Sequence, residues 1–408
     1  MTQSNCCGNE CGAKLILRGV GSAIRPGRLL LAVFCLAVLV GGGHIWDAIV
    51  GDWIPVSSLE PGSVGVHPPQ GNIAPFELTI RMLESALESI KMGVMQFSPS
   101  AVVHGTLSLV AGIPMALWTI GAHWFVLLFG IYALVVLSVS IGIQCRFEAI
   151  VVAEHEPPSM DRLIGESGAM SGNFIGSWGT PFVIAGVLGV MIMFAGFVLL
   201  NIPVINLLGG IVWGVVMLLG LAMAITLLGL AVAGALLLPA VAVDGCSGPD
   251  AMHRAFCGAT TRPLMWLWYV VLIVIGLGLG LVVVETVLSL TVALITGLGN
   301  AWVFNDVFAE VAMSHGGEST ASWTTAVTAS FVAFWMQLLS WLMAGWVLCY
   351  LAAATTRAWM MLRLRLNGIA KDDIWRPGLM PGTLAPVCRD TDACSAVDDA
   401  CTKADADE

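Results

Sequence analysis

Few residues of this 408-residue chain have the type and spacing that catalysis requires. Two Gly-x-Ser-Gly tetrads, at 165–168 and 245–248, offer a serine nucleophile, but no histidine is placed on a facing apolar run to act as its base. The pair His155-Glu156 lacks the second histidine of a zinc-protease helix, and no phosphate-binding loop with a lysine occurs. We therefore expect that the protein is not an enzyme, with no catalytic residue and no cofactor.

Glu285 is the most informative single residue, because an ionisable side chain inside an apolar run suggests a functional role by default. If this apolar run is a membrane-spanning helix, Glu285 would lie about 10 Å from its midpoint, in the half that faces away from the cytoplasm. One interpretation is ion or proton handling. The alternatives are that Glu285 extends to the outer membrane interface, or that it pairs with Gln337 as a neutral acid.

A polar hinge at 239–263 carries the other candidate residues, Asp244, Asp250 and Arg254. Local structure explains this hinge without a ligand. Ser247 suits the cap of a helix, a proline suits the first turn, and Asp250 would face the positive helix end. Arg254 is placed to reach lipid phosphates. A structural role is therefore favoured over a binding site.

Two sets of cysteines near the chain ends share one predicted side of the membrane: Cys6, Cys7, Cys11, Cys388, Cys394 and Cys401. Together they offer thiolates for zinc or another thiophilic metal. Because no tight Cys-x-x-Cys pair occurs, free reduced thiols are favoured and no metal ligand is predicted.

Composition places all these residues in a membrane protein. The chain is 58% hydrophobic and only 11% charged, outside the range of soluble domains. Only helices of about 20 residues or closed barrels cross a bilayer with their backbone satisfied, and the apolar runs have helical length. We predict an all-α integral membrane protein with six transmembrane helices, at 29–50, 122–143, 181–201, 207–238, 264–291 and 326–353.

The distribution of lysine and arginine predicts the orientation. Fifteen of these residues fall in the segments 1–28, 144–180, 239–263 and 354–408, and two fall in 51–121 and 292–325. Because positive residues concentrate on the cytoplasmic side, both termini should be cytoplasmic. A second crossing within 102–143 would reverse this distribution, so 106–121 is interpreted as interfacial or re-entrant. The chain after about 380 is acidic and is expected to be disordered.

Three further patterns leave alternatives open. Residues 76–97 form an amphipathic helix that either lies on the outer leaflet or docks a partner, or packs as a lid on its own bundle. The segments that end at Pro181 and Pro263 suggest either a parallel internal repeat or only the common occurrence of proline at the start of a helix. The first apolar run is either a retained anchor, which is favoured, or a cleaved signal peptide.

Glycines also recur at close-packing spacing in the fourth and fifth predicted spans, at Gly210 and Gly214 and at Gly276 and Gly280.

A longer pattern joins the hinge to an earlier segment: Pro239-Ala-Val-Ala-Val-Asp244-Gly245, Asp250-Ala251, Arg254, Arg262-Pro263 and Arg146-Phe-Glu-Ala149. Over about 125–374, the chain resembles a family of uncharacterised polytopic inner-membrane proteins common in planctomycete bacteria. The resemblance implies a bacterial, multi-pass protein of the cell inner membrane, and it implies no activity. The chain departs from the family at Asp244, where the family has glutamate, and at Ala255, where it has serine.

Two functions from different classes stay open. The favoured one is a structural or accessory membrane component that packs with partner membrane proteins or with itself. The alternative is a small-solute or lipid transporter that uses the repeat and Glu285. Membrane lipids are expected partners, whereas a net charge of -10 argues against nucleic acid.

Overall fold

The structure of the protein is a computed structural model that describes residues 10–55, 72–96, 98–201, 205–300 and 323–378. The backbone of these residues is almost entirely helical. The first half contains six α-helices, a short strand pair and two π-helical turns, in the order α1 (Glu10–Leu17), α2 (Gly19–Ala23), α3 (Pro26–Val50), β1 (Ile54–Pro55), β2 (Asn72–Ile73), α4 (Pro75–Met95), α5 (Pro99–Leu107), a π-turn (Ser108–Gly112), α6 (Ile113–Thr119) and a second π-turn (Phe125–Phe129).

The second half contains most of the long helices. They follow in the order α7 (Gly130–Glu154), α8 (Met160–Asn201), α9 (Ile205–Ala233), a 3-10 turn (Gly234–Leu236), α10 (Leu237–Asp244), α11 (Gly248–Thr261), α12 (Pro263–Asn300) and α13 (Trp323–Asn367).

Six of the described helical stretches are long and apolar enough to cross a membrane, which confirms the predicted fold class. They are Pro26–Val50, Phe125–Glu154, Met160–Val198, Trp213–Asp244, Pro263–Leu298 and Ser330–Asn367.

One predicted helix start is wrong. Pro181 does not open a helix, because α8 begins at Met160 and continues through it. A proline removes one backbone hydrogen bond, whereas ending a helix in hydrocarbon would leave several backbone groups unsatisfied. Pro263, by contrast, does begin a helix, α12. The two halves of the suggested repeat therefore differ at this point.

The chain divides into two compact units. Unit 1 comprises Met1–Leu15, Ile141–Tyr269 and Ala352–Glu408, and unit 2 comprises Ile16–Ser140 and Val270–Leu351.

In unit 2, the segment between the first two spans folds on itself. The strand pair and helices α4 and α6 share a core in which Ile73, Phe76, Ile113 and Leu117 are buried. The carboxylate of Asp47 caps α4, since its two oxygens accept the backbone N–H groups of Phe76 at 3.0 Å and of residue 77 at 3.2 Å. This packing favours the interpretation of the amphipathic helix as a lid on its own bundle.

The start of the expected apolar stripe of 76–97 is buried, while Leu87, farther along α4, is 51% exposed. The end of that stripe, Phe97, lies outside the described residues.

Glycines allow α12 and α13 to approach closely within unit 2. A Cβ at Gly276 would lie 2.2 Å from the hydroxyl of Tyr350, and one at Gly280 would lie 2.2 Å from the Trp346 ring. The Tyr350 hydroxyl donates to the Ile273 carbonyl at 2.9 Å. The close-packing role expected from this glycine spacing is therefore found at Gly276 and Gly280, whereas a Cβ at Gly214 of the other pair would meet no neighbouring helix in the described part of the chain.

In unit 1, α8 packs against α9, α10 and α11, and every residue of α10 is buried. A Cβ at Gly248, the first residue of α11, would lie 2.5 Å from the backbone of Gly176 in α8. This contact places the hinge directly against α8.

Candidate functional site: a buried arginine and carboxylate network

Unit 1 contains a group of paired charged side chains, six of which are buried. Six arginines and four carboxylates are linked by salt bridges, and they come from α7, α8, α10, α11, α13 and the segment that follows α13: Arg146, Arg162, Arg254, Arg357, Arg363, Arg376, Glu148, Glu154, Glu166 and Asp244. A buried charge is costly unless it is paired and hydrogen-bonded, so these pairings decide what the site can do.

The first chain of pairs begins at Arg146, which is fully buried. Its Nε and Nη2 donate to the same oxygen of Glu166 at 2.9 and 2.5 Å. The other Glu166 oxygen accepts from Nε of Arg162 at 2.7 Å. The guanidinium of Arg162 then forms two parallel bonds of 2.7 Å to Glu154, the geometry that makes an arginine–carboxylate pair strong.

The second pair joins α13 to α7. Arg357 donates from Nε to Glu148 Oε1 at 2.6 Å, and its Nη2 lies 2.5 Å from the same oxygen. The side chain of Glu148 is fully buried and that of Arg357 is 7% exposed. Nη1 of Arg357 also donates to the carbonyl of Leu15 at 2.7 Å. This arginine therefore fixes the end of α1 as well.

The third group centres on Asp244, the last residue of α10. Its Oδ1 accepts from Arg363 at 2.8 Å, and its Oδ2 accepts from Arg254 at 3.4 Å. Asp244 and Arg363 are each 2% exposed in their side chains, whereas Arg254 is 41% exposed. One buried carboxylate is thus shared by two arginines, and only one of them is withdrawn from solvent.

The segment 368–376 closes over this network after α13 ends. Arg363 Nη2 donates to the carbonyls of Ala370 at 3.1 Å and Asp373 at 2.6 Å. The carbonyl of Trp375 accepts from Arg146 at 2.9 Å, and its backbone N–H donates to Val243 at 2.8 Å. The returning segment is therefore held mainly by arginine side chains through its backbone.

Gly245 makes room for this segment. It ends α10 in the left-handed conformation, with φ +61°. A Cβ at Gly245 would lie 2.2 Å from the ring of Trp375, and that ring also lies 5.8 Å from the Arg146 guanidinium carbon. The glycine is needed both for its backbone conformation and for the space above it.

The thiol next to Asp244 is also withdrawn from solvent, since Cys246 is 1% exposed. Burial raises the pKa of Cys246 to about 12, and the nearby Asp244 carboxylate adds to the effect. Cys246 therefore stays a neutral thiol and is a poor candidate for a nucleophile or a metal ligand.

The residues expected from the sequence do not form one site. Asp244 and Arg254 belong to the network. Asp250 instead accepts a hydrogen bond of 2.6 Å from Ser247 at the start of α11. Glu285 and Gln337 are both exposed, and the described residues show no hydrogen bond between them.

The serines of the two Gly-x-Ser-Gly tetrads lie at a helix cap and at a buried position. The Ser247 Oγ accepts the backbone N–H of Asp250 and so caps α11, as expected. Ser167 is 2% exposed, and its hydroxyl has no hydrogen-bond partner among the described residues. Among the described residues, neither Ser167 nor Ser247 contacts a histidine.

The predicted cysteine sets lie outside what the structure shows. Cys6, Cys7, Cys388, Cys394 and Cys401 fall outside the described residues, and the side chain of Cys11 is not described. Within the described part of the chain, no group of three His, Cys, Asp or Glu side chains is placed to hold a metal ion.

The sequence analysis missed Arg146, Glu148, Glu166, Arg357 and Arg363 as members of a network. A signal for them exists. Arg146 and Glu148 are flanked on both sides by apolar residues of α7, and Arg357 lies between Ala352–Ala354 and an apolar run that begins at Ala358. Charges of opposite sign with apolar neighbours on both sides indicate burial in pairs rather than a solvated loop.

The fold and this site define a class: a multi-pass α-helical membrane protein with a paired-charge network at the ends of its helices. No family model matches the chain, and no curated protein and no solved structure is similar to it.

Proposed function

We propose that the protein is a structural or accessory component of a cell inner membrane that associates with partner proteins or with itself in the plane of the bilayer. The observation that carries this proposal is the pairing of the buried charges of unit 1 with one another. Buried ionisable groups that already hold each other contribute to a fixed fold, and they leave little polar lining for a solute path.

The outward face of α8 supports an association role. Seven glycines recur there at steps of three, four or seven residues, and beyond the adjacent backbone of α8 itself no atom of the described residues lies within 4 Å of where a Cβ would be: Gly165, Gly168, Gly172, Gly179, Gly186, Gly189 and Gly196. Gly186, Gly189 and Gly196 lie in the predicted span 181–201. In lipid, a stripe of small residues there allows a second helix to approach closely, so that many weak contacts accumulate.

The orientation belongs to the same proposal. Fifteen lysines and arginines against two support cytoplasmic termini. With this orientation, the network of unit 1 lies towards the cytoplasm, where the partner of an accessory protein would be bound or regulated.

The test is purification of the tagged full-length protein in native-lipid nanodiscs, followed by mass spectrometry of everything that co-purifies. We expect a stoichiometric protein partner or a defined oligomer. Gly186→Ile should weaken this association because a branched side chain separates the helices. Gly278→Ile on α12 is the matched control, since Gly278 is also exposed and open. A protein that purifies alone and monomeric would contradict the proposal.

The transporter alternative depends on Glu285, and its exposed position disfavours that role. We expect Glu285→Gln to leave growth and any measured solute uptake unchanged, because the side chain contacts no polar partner that the structure describes. A bound solute without a protein partner, together with lost uptake in Glu285→Gln, would favour the transporter instead.

A further inference from the structure

Positive charge exceeds negative charge in the network of unit 1, and the excess reaches the surface at Arg254. The Asp244 carboxylate, which Arg254 contacts at 3.4 Å, is held more closely by Arg363 at 2.8 Å. Asp250, one helical turn before Arg254, accepts a hydrogen bond from Ser247 and forms no salt bridge with Arg254 in the described part of the chain. Arg254 is 41% exposed, so its guanidinium can reach an acceptor outside the network.

Arg262 adds a second exposed cation at the end of the same helix. It is the C-cap of α11, and it has no salt bridge among the residues that the structure describes. Eight residues of helix separate Arg254 from Arg262, which corresponds to about 12 Å. A single carboxylate could not form salt bridges with both arginines at this distance, whereas the phosphate groups of a lipid layer could.

The turn that follows, at the start of α12, exposes large apolar side chains. Leu264 is 81% exposed and Trp268 is 51% exposed, although both begin an apolar span. Trp266, on the other face, is buried and donates to the Val232 carbonyl at 3.0 Å. An outward-facing tryptophan at the first turn of a span is typical of the membrane–water interface.

We propose that the corner between α11 and α12, residues 254–268, binds the phosphate groups of anionic phospholipids. The planar guanidinium groups of Arg254 and Arg262 match phosphate oxygens in geometry and charge. Trp268 and Leu264 contact the adjoining acyl region. The same corner attracts a negatively charged leaflet more strongly than a zwitterionic one, because only the former carries net negative surface potential. This inference does not depend on a protein partner, so the two proposals can fail separately.

The test is native mass spectrometry of the full-length protein in mild detergent, titrated with phosphatidylglycerol or with phosphatidylcholine. We expect the wild type to retain phosphatidylglycerol preferentially. Arg254→Gln and Arg262→Gln should each weaken that binding by about fivefold. Arg254→Lys should regain part of the binding that Arg254→Gln loses, because it keeps the charge without the planar guanidinium, and this separates loss of charge from loss of folding. Arg81→Gln, in unit 2, is the control for a general loss of positive charge.

Inorganic phosphate added as a competitor separates the two sources of the same group. Persistent lipid binding at high phosphate supports a lipid headgroup site, because the acyl contacts then add to affinity. Complete displacement supports a site for the phosphate group alone, with a free phosphate as its ligand. Equal retention of the two lipids by the wild type, or a phosphatidylglycerol preference that survives both glutamine substitutions, would overturn the inference.

Discussion

Replacing Arg357 with methionine should lower the free energy of unfolding by roughly 3–5 kcal/mol, the usual cost of removing one partner from a buried ion pair. The structure places this pair at the upper end of that range. Glu148 is fully buried, and Arg357 approaches a single oxygen of it at 2.6 and 2.5 Å. Without the guanidinium, the carboxylate loses that charge partner in a region with little water, and the Leu15 carbonyl loses its donor.

The second substitution that tests this reasoning removes both charges. Because the desolvation penalty disappears with the pair, Arg357→Met with Glu148→Met should cost clearly less than the sum of the two single substitutions. The measurement is unfolding in mixed micelles with a denaturing detergent, followed by tryptophan fluorescence. Additive costs, within about 0.5 kcal/mol, would refute a coupled buried pair.

The matched control is the exposed pair of α4. Arg81 lies 2.7 Å from Glu77, a distance close to that of the buried pair, but the two side chains are 30% and 52% exposed. Arg81→Met should therefore cost about 0.5 kcal/mol or less. If the Arg357 substitution cost no more than this one, burial would not determine the strength of these pairs.

Two further predictions concern the hinge. Gly245→Ala should lower the free energy of unfolding by more than the roughly 1–2 kcal/mol expected for a left-handed alanine alone, because its methyl group would meet the Trp375 ring. Gly121→Ala is the control, since Gly121 has φ +96° and open space around it. It should show only the backbone cost in the same unfolding measurement. At pH 9, iodoacetamide should modify the exposed Cys257 and leave Cys246 intact in peptide mass spectra. Burial raises the pKa of the Cys246 thiol to about 12 in the folded protein, so on raising the pH this thiol loses its proton first in the unfolded state, near its ordinary pKa of 9.0. The free energy that the thiol contributes to stability therefore falls as the pH rises above 9.0.

The number of spanning helices was predictable because hydropathy alone identifies runs of sufficient length. The ends of the helices were not, because α8 extends 21 residues before Pro181 and α13 continues past 353 to Asn367. Helical hydrogen bonding does not stop where hydrophobicity stops. A proline inside a long helix removes one bond and leaves the rest of the helix intact, so composition is a poor guide to such boundaries.

The amphipathic helix shows a second limit. Its periodicity predicted a helix close to the observed Pro75–Met95. Its cap was not predicted, since Asp47 lies 28 residues before Pro75 in the chain. The sequence contains the acceptor and the donors, but their meeting depends on tertiary structure.

Burial of arginines on the predicted cytoplasmic side does not weaken the orientation argument. Positive residues direct orientation while the chain inserts, before the helices pack against each other. Without the four buried arginines, Arg28, Arg146, Arg357 and Arg363, eleven positive residues would still oppose two. These arginines can therefore act twice, first as topological signals and then as partners of buried acceptors. The second role requires carboxylates at the same ends of the helices, and the close pairing of Glu148, Glu166 and Asp244 with arginines meets that requirement.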